Sequence, residues 1–280
     1  MKYRKAYEWG RNRLEMSDIA DAALDARLLL EYVCGTTHND LYAKSEMELK
    51  EFQQETYERF IRQRSENIPL QHLTGEQEFM GITFKVNRDV LIPRQDTEVL
   101  VEEAMIAAMD GDRVLDMCTG SGCILLSLMK YKNDIKGVGV DISEAALAVA
   151  VENYERLKDE ISGSAQFIHS NLFDKVDGLF DIIVSNPPYI RTADIADLQK
   201  EVREHDPEGA LDGGEDGLVF YRKIAATAVN YLEKDGKLIF EIGFDQAQDV
   251  MDILEENGYT DIRVIKDLAG LNRVVYARYE

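Results

Sequence analysis

From Thr97 onward, segments that read as strands alternate with segments that read as helices, and no other feature of this 280-residue chain restricts its fold as strongly. Strand signals fall at 113–117, 137–140, 166–169, 181–185, 237–242, 261–266 and 273–278, and helical signals at 97–108, 123–131, 144–157, 218–232 and 246–256. Such alternation predicts an α/β fold with a doubly wound sheet, because parallel neighbours need a crossover and helices fill it. Only a turn containing Gly270 joins the last two strand segments, so these are expected to pair antiparallel at one edge.

Residues 1–75 read differently. They contain only three glycines (Gly10, Gly35, Gly75) and one proline, Pro69. The run 22–33 is rich in Ala and Leu and sets Leu24, Leu28 and Tyr32 at helical spacing. Ser45 and Glu48 fit a capping box ahead of an apolar stripe of Leu49, Phe52, Phe60 and Ile61. A small helical domain is therefore expected over 1–75. A β-hairpin linker is expected over 76–93, where Phe79, Ile82, Phe84 and Val86 precede Pro93, and the α/β domain over 94–280.

Composition narrows the partners. Against 32 Lys+Arg stand 53 Asp+Glu, a net charge of −21, of which −4 falls in residues 1–80 and −17 in the rest. Nucleic acid and anionic membranes are disfavoured, since both need basic surface. Cys34, Cys118 and Cys123 make no secretory disulfide framework, and no apolar run reaches the ~20 residues of a membrane span. A cytoplasmic monomer is the expectation. His38, His72, His169 and His205 have no metal-ligand spacing, and no metal is expected. The acidic stretch 201–216 reads as a solvated loop rather than a calcium loop.

Three motifs carry chemistry. In the first, residues 114–128, a strand ending in Asp116 runs through Cys118, Thr119, Gly120, Ser121 and Gly122 into a helix. Glycines let a ligand approach the backbone, and a helix N-terminus is electropositive. Leu125 occupies the third glycine position of a dinucleotide fingerprint, which disfavours a pyrophosphate. The second is Asp141, 19 residues after Gly122, placed to accept from ribose hydroxyls while Ser143 caps the following helix. Together the two favour an adenosine ligand. The third is Asn186–Pro187–Pro188–Tyr189, closing a buried strand. Prolines stiffen the chain and withdraw two N–H donors, leaving the Asn186 side-chain oxygen and the Pro187 carbonyl as acceptors beside an aromatic face, a set that suits a planar –NH₂ group.

These motifs resemble S-adenosylmethionine-dependent methyltransferases that act on planar amino or amide nitrogens. The quartet alone is shared by adenine-DNA and protein glutamine methyltransferases. Further segments, at 24–35, 62–79, 91–101, 208–218 and 267–279, resemble the HemK/PrmC family across nearly the whole chain. The resemblance implies a Rossmann-like class I methyltransferase sheet with S-adenosyl-L-methionine as cofactor. It also implies transfer to the glutamine of the Gly-Gly-Gln motif in peptide chain release factors, with the helical domain docking the substrate. It assigns cofactor contacts to Asp116, Cys118, Thr119, Gly120, Ser121, Gly122, Asp141, Leu172 and Asn186, and chemistry to Asn186, Pro187, Pro188 and Tyr189. Arg94 and Thr97 lie in a family-typical segment expected to close over the cofactor, or else to begin a helix. A glutamine methyltransferase of a ribosomal protein, an adenine methyltransferase of nucleic acid and a non-enzymatic adenosine-binding module are the competing readings. Two positions depart from the family pattern: Cys118, where glycine is usual and which fits if its backbone angles are ordinary, and Asn171, where Asp is usual beside the adenine.

Overall fold

A computed structural model describes all residues, Met1–Glu280, and divides them into two compact units, Met1–Glu76 with Gln199–His205, and Gln77–Leu198 with Asp206–Glu280. No helix is long and apolar enough to cross a membrane.

The first unit is built on α1 (Tyr3–Glu15), α2 (Ala22–Cys34), α3 (His38–Ala43), α4 (Glu51–Ser65) and α5 (Leu70–Thr74). Its core differs from the predicted stripes. Ala22, Ala26, Leu29 and Leu30 are the buried face of α2, whereas Leu24 and Tyr32 are exposed. The alanines let the helices approach closely, and this outweighs the larger apolar surface on the other side. Gly10 shows the same constraint in α1, because a Cβ there would lie 2.1 Å from the Tyr57 hydroxyl. Ser45 caps nothing. The helix starts at Glu51, with Gln53 Oε1 accepting the Lys50 N–H at 3.0 Å, and Phe52 is exposed. Arg64, buried, joins Asp25 and Glu201, each at 2.7 Å.

The second unit opens with a hairpin, β1 (Glu76–Phe79) and β2 (Ile82–Lys85), which packs within this unit through Phe79, Ile82 and Phe84. The strand signal at Val90 and Ile92 gives buried non-strand chain instead. There follow α6 (Glu98–Ala107), β3 (Arg113–Met117), α7 (Cys123–Tyr131), β4 (Ile135–Asp141), α8 (Glu144–Leu157), β5 (Gly163–His169) and β6 (Phe180–Ser185). A long connection then holds α9 (Lys200–His205), the segment that clusters with the first unit, and leads to α10 (Val219–Ala228), β7 (Leu232–Glu241), α11 (Ala247–Glu256), β8 (Thr260–Lys266) and β9 (Asn272–Arg278). The predicted helix over 218–232 ends at Ala228, because Leu232 already belongs to the next strand.

The seven-stranded sheet has the order β5-β4-β3-β6-β7-β9-β8. β3 to β7 run parallel, and β9 enters antiparallel between β7 and the edge strand β8. Winding starts at β3, goes outward through β4 and β5, then returns to β6 on the other side. The ends of β3 and β6 therefore form the switch point where connections diverge and a crevice opens. The register sets Met117 opposite both Val140 and Ser185, so three strands finish level there. The Ser185 hydroxyl donates to the Met117 carbonyl at 2.6 Å and ties the two central ends together.

Candidate active site

At this switch point lies a cavity of about 450 Å³. The glycine turn forms one wall. Gly122 has φ +78° and precedes the first turn of α7; a Cβ on it would meet the Ala150 Cβ at 3.3 Å, so glycine serves both the left-handed angle and the close approach of α8. A Cβ on Gly120 would meet no protein atom within 4 Å, which leaves the backbone there bare toward the cavity. Asn153, reaching from α8, holds the turn by donating to the Ser121 carbonyl at 2.9 Å and joins it to Lys85 of β2. Sequence reasoning missed Asn153, whose only signal was an asparagine within a helical run.

Cys118 has φ +65° and Leu172 φ +49°, and both line the cavity. The ordinary backbone angles on which an easy fit of Cys118 depended are therefore absent, and the usual glycine at this place has a conformational reason. Left-handed geometry costs a residue with a Cβ roughly 1–2 kcal/mol, and such strain collects where surrounding structure holds a ligand site in shape. Burial pushes the Cys118 thiol up, so it stays uncharged.

Of the residues singled out from the sequence, Cys118, Thr119, Gly120, Ser121, Asp141, Leu172, Asn186 and Pro188 line the cavity. Asp116, Gly122, Pro187 and Tyr189 belong to the same two turns but do not line it. Asp116 is wholly buried and accepts the Thr119 hydroxyl at 2.6 Å through Oδ2, so it orients the turn from behind. Its carboxyl is pushed up to about 7, foremost by burial and also by the charge of Asp141, against the opposing pull of Thr119 and the Leu125 amide. Asp141, at the end of β4, spends one lone pair of Oδ2 on the Gly120 N–H and one of Oδ1 on the Ser143 N–H, both at 2.9 Å. With the Ile142 amide also drawn to it, the carboxylate keeps about one of its four lone-pair sites. Burial raises its pKa and the three amides of Ser143, Gly120 and Ile142 oppose that. Ser143 caps α8 through the Ala146 N–H at 3.1 Å.

The opposite wall is the proline turn. Asn186 Nδ2 donates one of its two N–H groups to the Thr97 hydroxyl at 3.3 Å, and Oδ1 is the acceptor Asn186 can offer the cavity. Thr97 thus does not cap α6, the role weighed for it; its side chain makes no cap hydrogen bond. Behind the turn, Gln246 Nε2 donates to the Tyr189 carbonyl at 2.9 Å and its Oε1 accepts the Gly243 N–H at 2.9 Å. The Tyr189 hydroxyl donates to Glu241 at 3.4 Å. Sequence reasoning missed Gln246 and Glu241; their signals were polar residues at the close of an apolar strand and in the turn after it. Arg94, at the cavity's edge, is 2.6 Å from Asp206, which anchors the segment carrying Pro207, Gly209 and Ala210 beside the opening. Asn171 also faces the cavity.

The residues fit an adenosine bearing a charged arm. A left-handed glycine turn and a helix start lie on one side, the Asp141 carboxylate at the strand end, and apolar Ile142 and Leu172 nearby. Fold and site together define a methyltransferase of the doubly wound class. Residues 5–75 match the PrmC N-terminal domain family and residues 95–234 the methyltransferase small domain family. The release factor glutamine methyltransferase of Agrobacterium fabrum is 41% identical over 274 residues, covering 96% of this chain and 94% of that relative. The one from Geobacter sulfurreducens is 40% identical over 276 residues, covering 98% and 96%. Among solved structures, a methyltransferase from Pyrococcus furiosus aligns with TM-score 0.53 and 19% identity over 71% of this chain and 89% of its own, a likeness of fold. The chain belongs to the release factor glutamine methyltransferase family.

Proposed function

We propose that this protein transfers a methyl group from S-adenosyl-L-methionine to the side-chain amide nitrogen of the glutamine in the Gly-Gly-Gln motif of peptide chain release factors. The observation that carries the reading is Asn186, whose amide nitrogen is tied back to Thr97 while its oxygen remains for the cavity. When bound, the cofactor supplies an electrophilic methyl group on a sulfonium. The Gly120–Gly122 turn, Asp141 and Leu172 are the residues that would hold it, with Asp116 fixing Thr119 from behind.

An amide nitrogen is a weak nucleophile because its lone pair is shared with the carbonyl. Orientation is therefore the main contribution this chain can make. Asn186 Oδ1 and the Pro187 carbonyl each accept one N–H of the substrate amide, which fixes the nitrogen and stabilises the positive charge that grows on it. Tyr189 packs against the amide plane. The proton leaves after the nitrogen has gained its methyl group, so no base has to act beforehand. Residues 1–75 supply the docking surface for the release factor. The −17 of the later residues steers a basic loop toward the site, with a rate that falls as salt rises.

Mass spectrometry of a release factor incubated with the protein and cofactor tests this. The expected result is one added methyl group on the Gly-Gly-Gln glutamine, lost in Asn186→Ala. Transfer to nucleic acid instead, or transfer undiminished in Asn186→Ala, would refute the proposal.

A further inference from the structure

The loop that follows β7 and the turn that precedes β9 carry apolar side chains that the rest of the chain leaves open. Phe244 is 60% exposed, Leu271 45%, and Leu268 fully exposed. Single exposed apolar residues are ordinary; Ile106 and Met109, for example, stand before β3 begins, at the opposite edge of the sheet. The trio differs in being adjacent and in where it stands. Glu241 pairs with Val274, and Asn272 Nδ2 donates to the Phe244 carbonyl at 3.4 Å, so loop 243–246 and turn 267–271 lie side by side at the carboxyl end of β7. That is the edge at which the cavity opens. Two bonds join this loop to the proline turn and the chain just after it: Gln246 Nε2 donates to the Tyr189 carbonyl, and Arg191 meets Asp245, both at 2.9 Å.

The turn is also held in shape. Asp267 Oδ1 accepts the N–H groups of Ala269 and Leu271, both at 2.9 Å, and Gly270 supplies φ +82°. Asp267 Oδ2 meets the buried Arg273 at 3.2 Å, and Arg273 also holds Asp96 at 3.1 Å, the residue before Thr97. A leucine presented on a turn fixed in advance needs little further ordering when a partner buries it. The proposed substrate gives such a surface a purpose. Gly-Gly-Gln holds two residues without side chains and one whose amide must enter the cavity, so the tripeptide offers almost no apolar area. Binding energy has to come from neighbouring parts of the substrate protein. This apolar surface continues from the acceptor wall on which the glutamine is held.

We infer that Leu268, Leu271 and Phe244 form a docking surface for the release factor, taking up an apolar side chain that lies outside the Gly-Gly-Gln tripeptide. The inference deepens the functional reading above and rests on it. Its test follows steady-state methylation of a full-length release factor by the full chain and by the variants Leu268→Ser, Phe244→Ser, Leu268→Met and Ile106→Ser. Leu268→Ser is expected to raise KM for the release factor about tenfold, the effect of one leucine no longer buried. Its kcat stays within about twofold, and Tm and cofactor affinity do not change. Adding Phe244→Ser raises KM further, Leu268→Met recovers most of the loss, and Ile106→Ser leaves KM as in the wild type. Wild-type KM in the Leu268→Ser/Phe244→Ser double variant overturns the inference, as does an equal rise in Ile106→Ser. So does a wild-type dimer that Leu268→Ser turns into a monomer in sedimentation, since a second copy is then the occupant. A wild-type protein that methylates no release factor refutes the functional reading itself. Methylation by the wild type with KM untouched in the double variant removes only the docking surface.

Discussion

The two turns that wall the cavity are built alike and offer different chemistry. Each follows a buried parallel strand, β3 or β6, and each has a buried acid bonded to one of its residues, Asp116 to the Thr119 hydroxyl and Glu241 to the Tyr189 hydroxyl. Both acids are pushed up to about 7, foremost by burial. The glycine turn takes left-handed angles at Cys118, Gly120 and Gly122 ahead of a helix, and its Gly120 N–H is held by the Asp141 carboxylate. The proline turn lacks two N–H groups and shows acceptors. A site with a carboxylate and an electropositive helix start on one wall and neutral amide acceptors on the other can hold an adenosine with a charged arm against the first and an amide –NH₂ against the second. The same plan, a buried acid bonded to a hydroxyl of the turn, thus yields two recognition surfaces, and the turn residues decide which.

The largest effect expected on this contrast is at Asn186. Asn186→Ala removes one acceptor that acts on developing charge, so kcat should fall about 10²–10³-fold, with a far smaller change in cofactor affinity by calorimetry. A comparable loss of cofactor binding would mean that the proline turn serves the cofactor and that the division of labour is wrong. Next is Gly122→Ala. Its φ of +78° and the 3.3 Å approach to Ala150 oppose a Cβ; strain of about 1–2 kcal/mol predicts weaker cofactor binding by about tenfold and a lower Tm. If Gly122→Ala changed kcat and left cofactor affinity intact, the glycine wall would not be the cofactor wall.

How much of this was legible in the sequence differs between the walls and their supports. Both turns announce themselves, because glycine and proline act through the backbone of their own segment, and the strand-helix alternation around them is local too. The supports are not local. Asn153 belongs to α8, Glu241 to β7 and Gln246 to the turn after it, and each reaches a turn from 30 or more residues away. Only the sheet order brings them there. The helical unit shows a similar limit: α2 exists as read, yet the face it buries depends on how closely Ala22 and Ala26 let neighbours approach. Cys118 was visible as a departure from glycine, but its angle was not, since composition carries no φ.

Acidity offers a way to see both buried acids at once. A carboxyl whose folded pKa lies above its unfolded value holds extra proton in the folded state, so it favours folding at low pH and that contribution is lost as pH rises through the folded pKa. For Asp116 and Glu241 the loss falls between the ordinary carboxylate range and about 7. Thermal melts of the cofactor-free protein should therefore show Tm declining from pH 5 to pH 8 on account of these groups. Asp116→Asn, which cannot ionise, should melt a few degrees above the wild type at pH 8, with the gap closing toward pH 5. A gap that stayed constant with pH would show that Asp116 is ionised throughout and that the two acids are not equivalent.

The smallest effect bears on why a cysteine stands in the glycine wall. Cys118→Gly relieves roughly 1–2 kcal/mol of left-handed strain at φ +65°. Against this stand about 0.5–1 kcal/mol of added chain entropy and the contacts of a thiol packed on the core of the α/β unit. The opposing contributions nearly cancel, so chemical denaturation should place the variant within about 1 kcal/mol of the wild type. That outcome separates two kinds of left-handed position: Gly122, where a Cβ meets a neighbouring helix, and Cys118, where it meets packing it can use. A loss well beyond 1 kcal/mol would show that the thiol contributes more than packing, and the glycine wall would then depend on a side chain as the proline wall does.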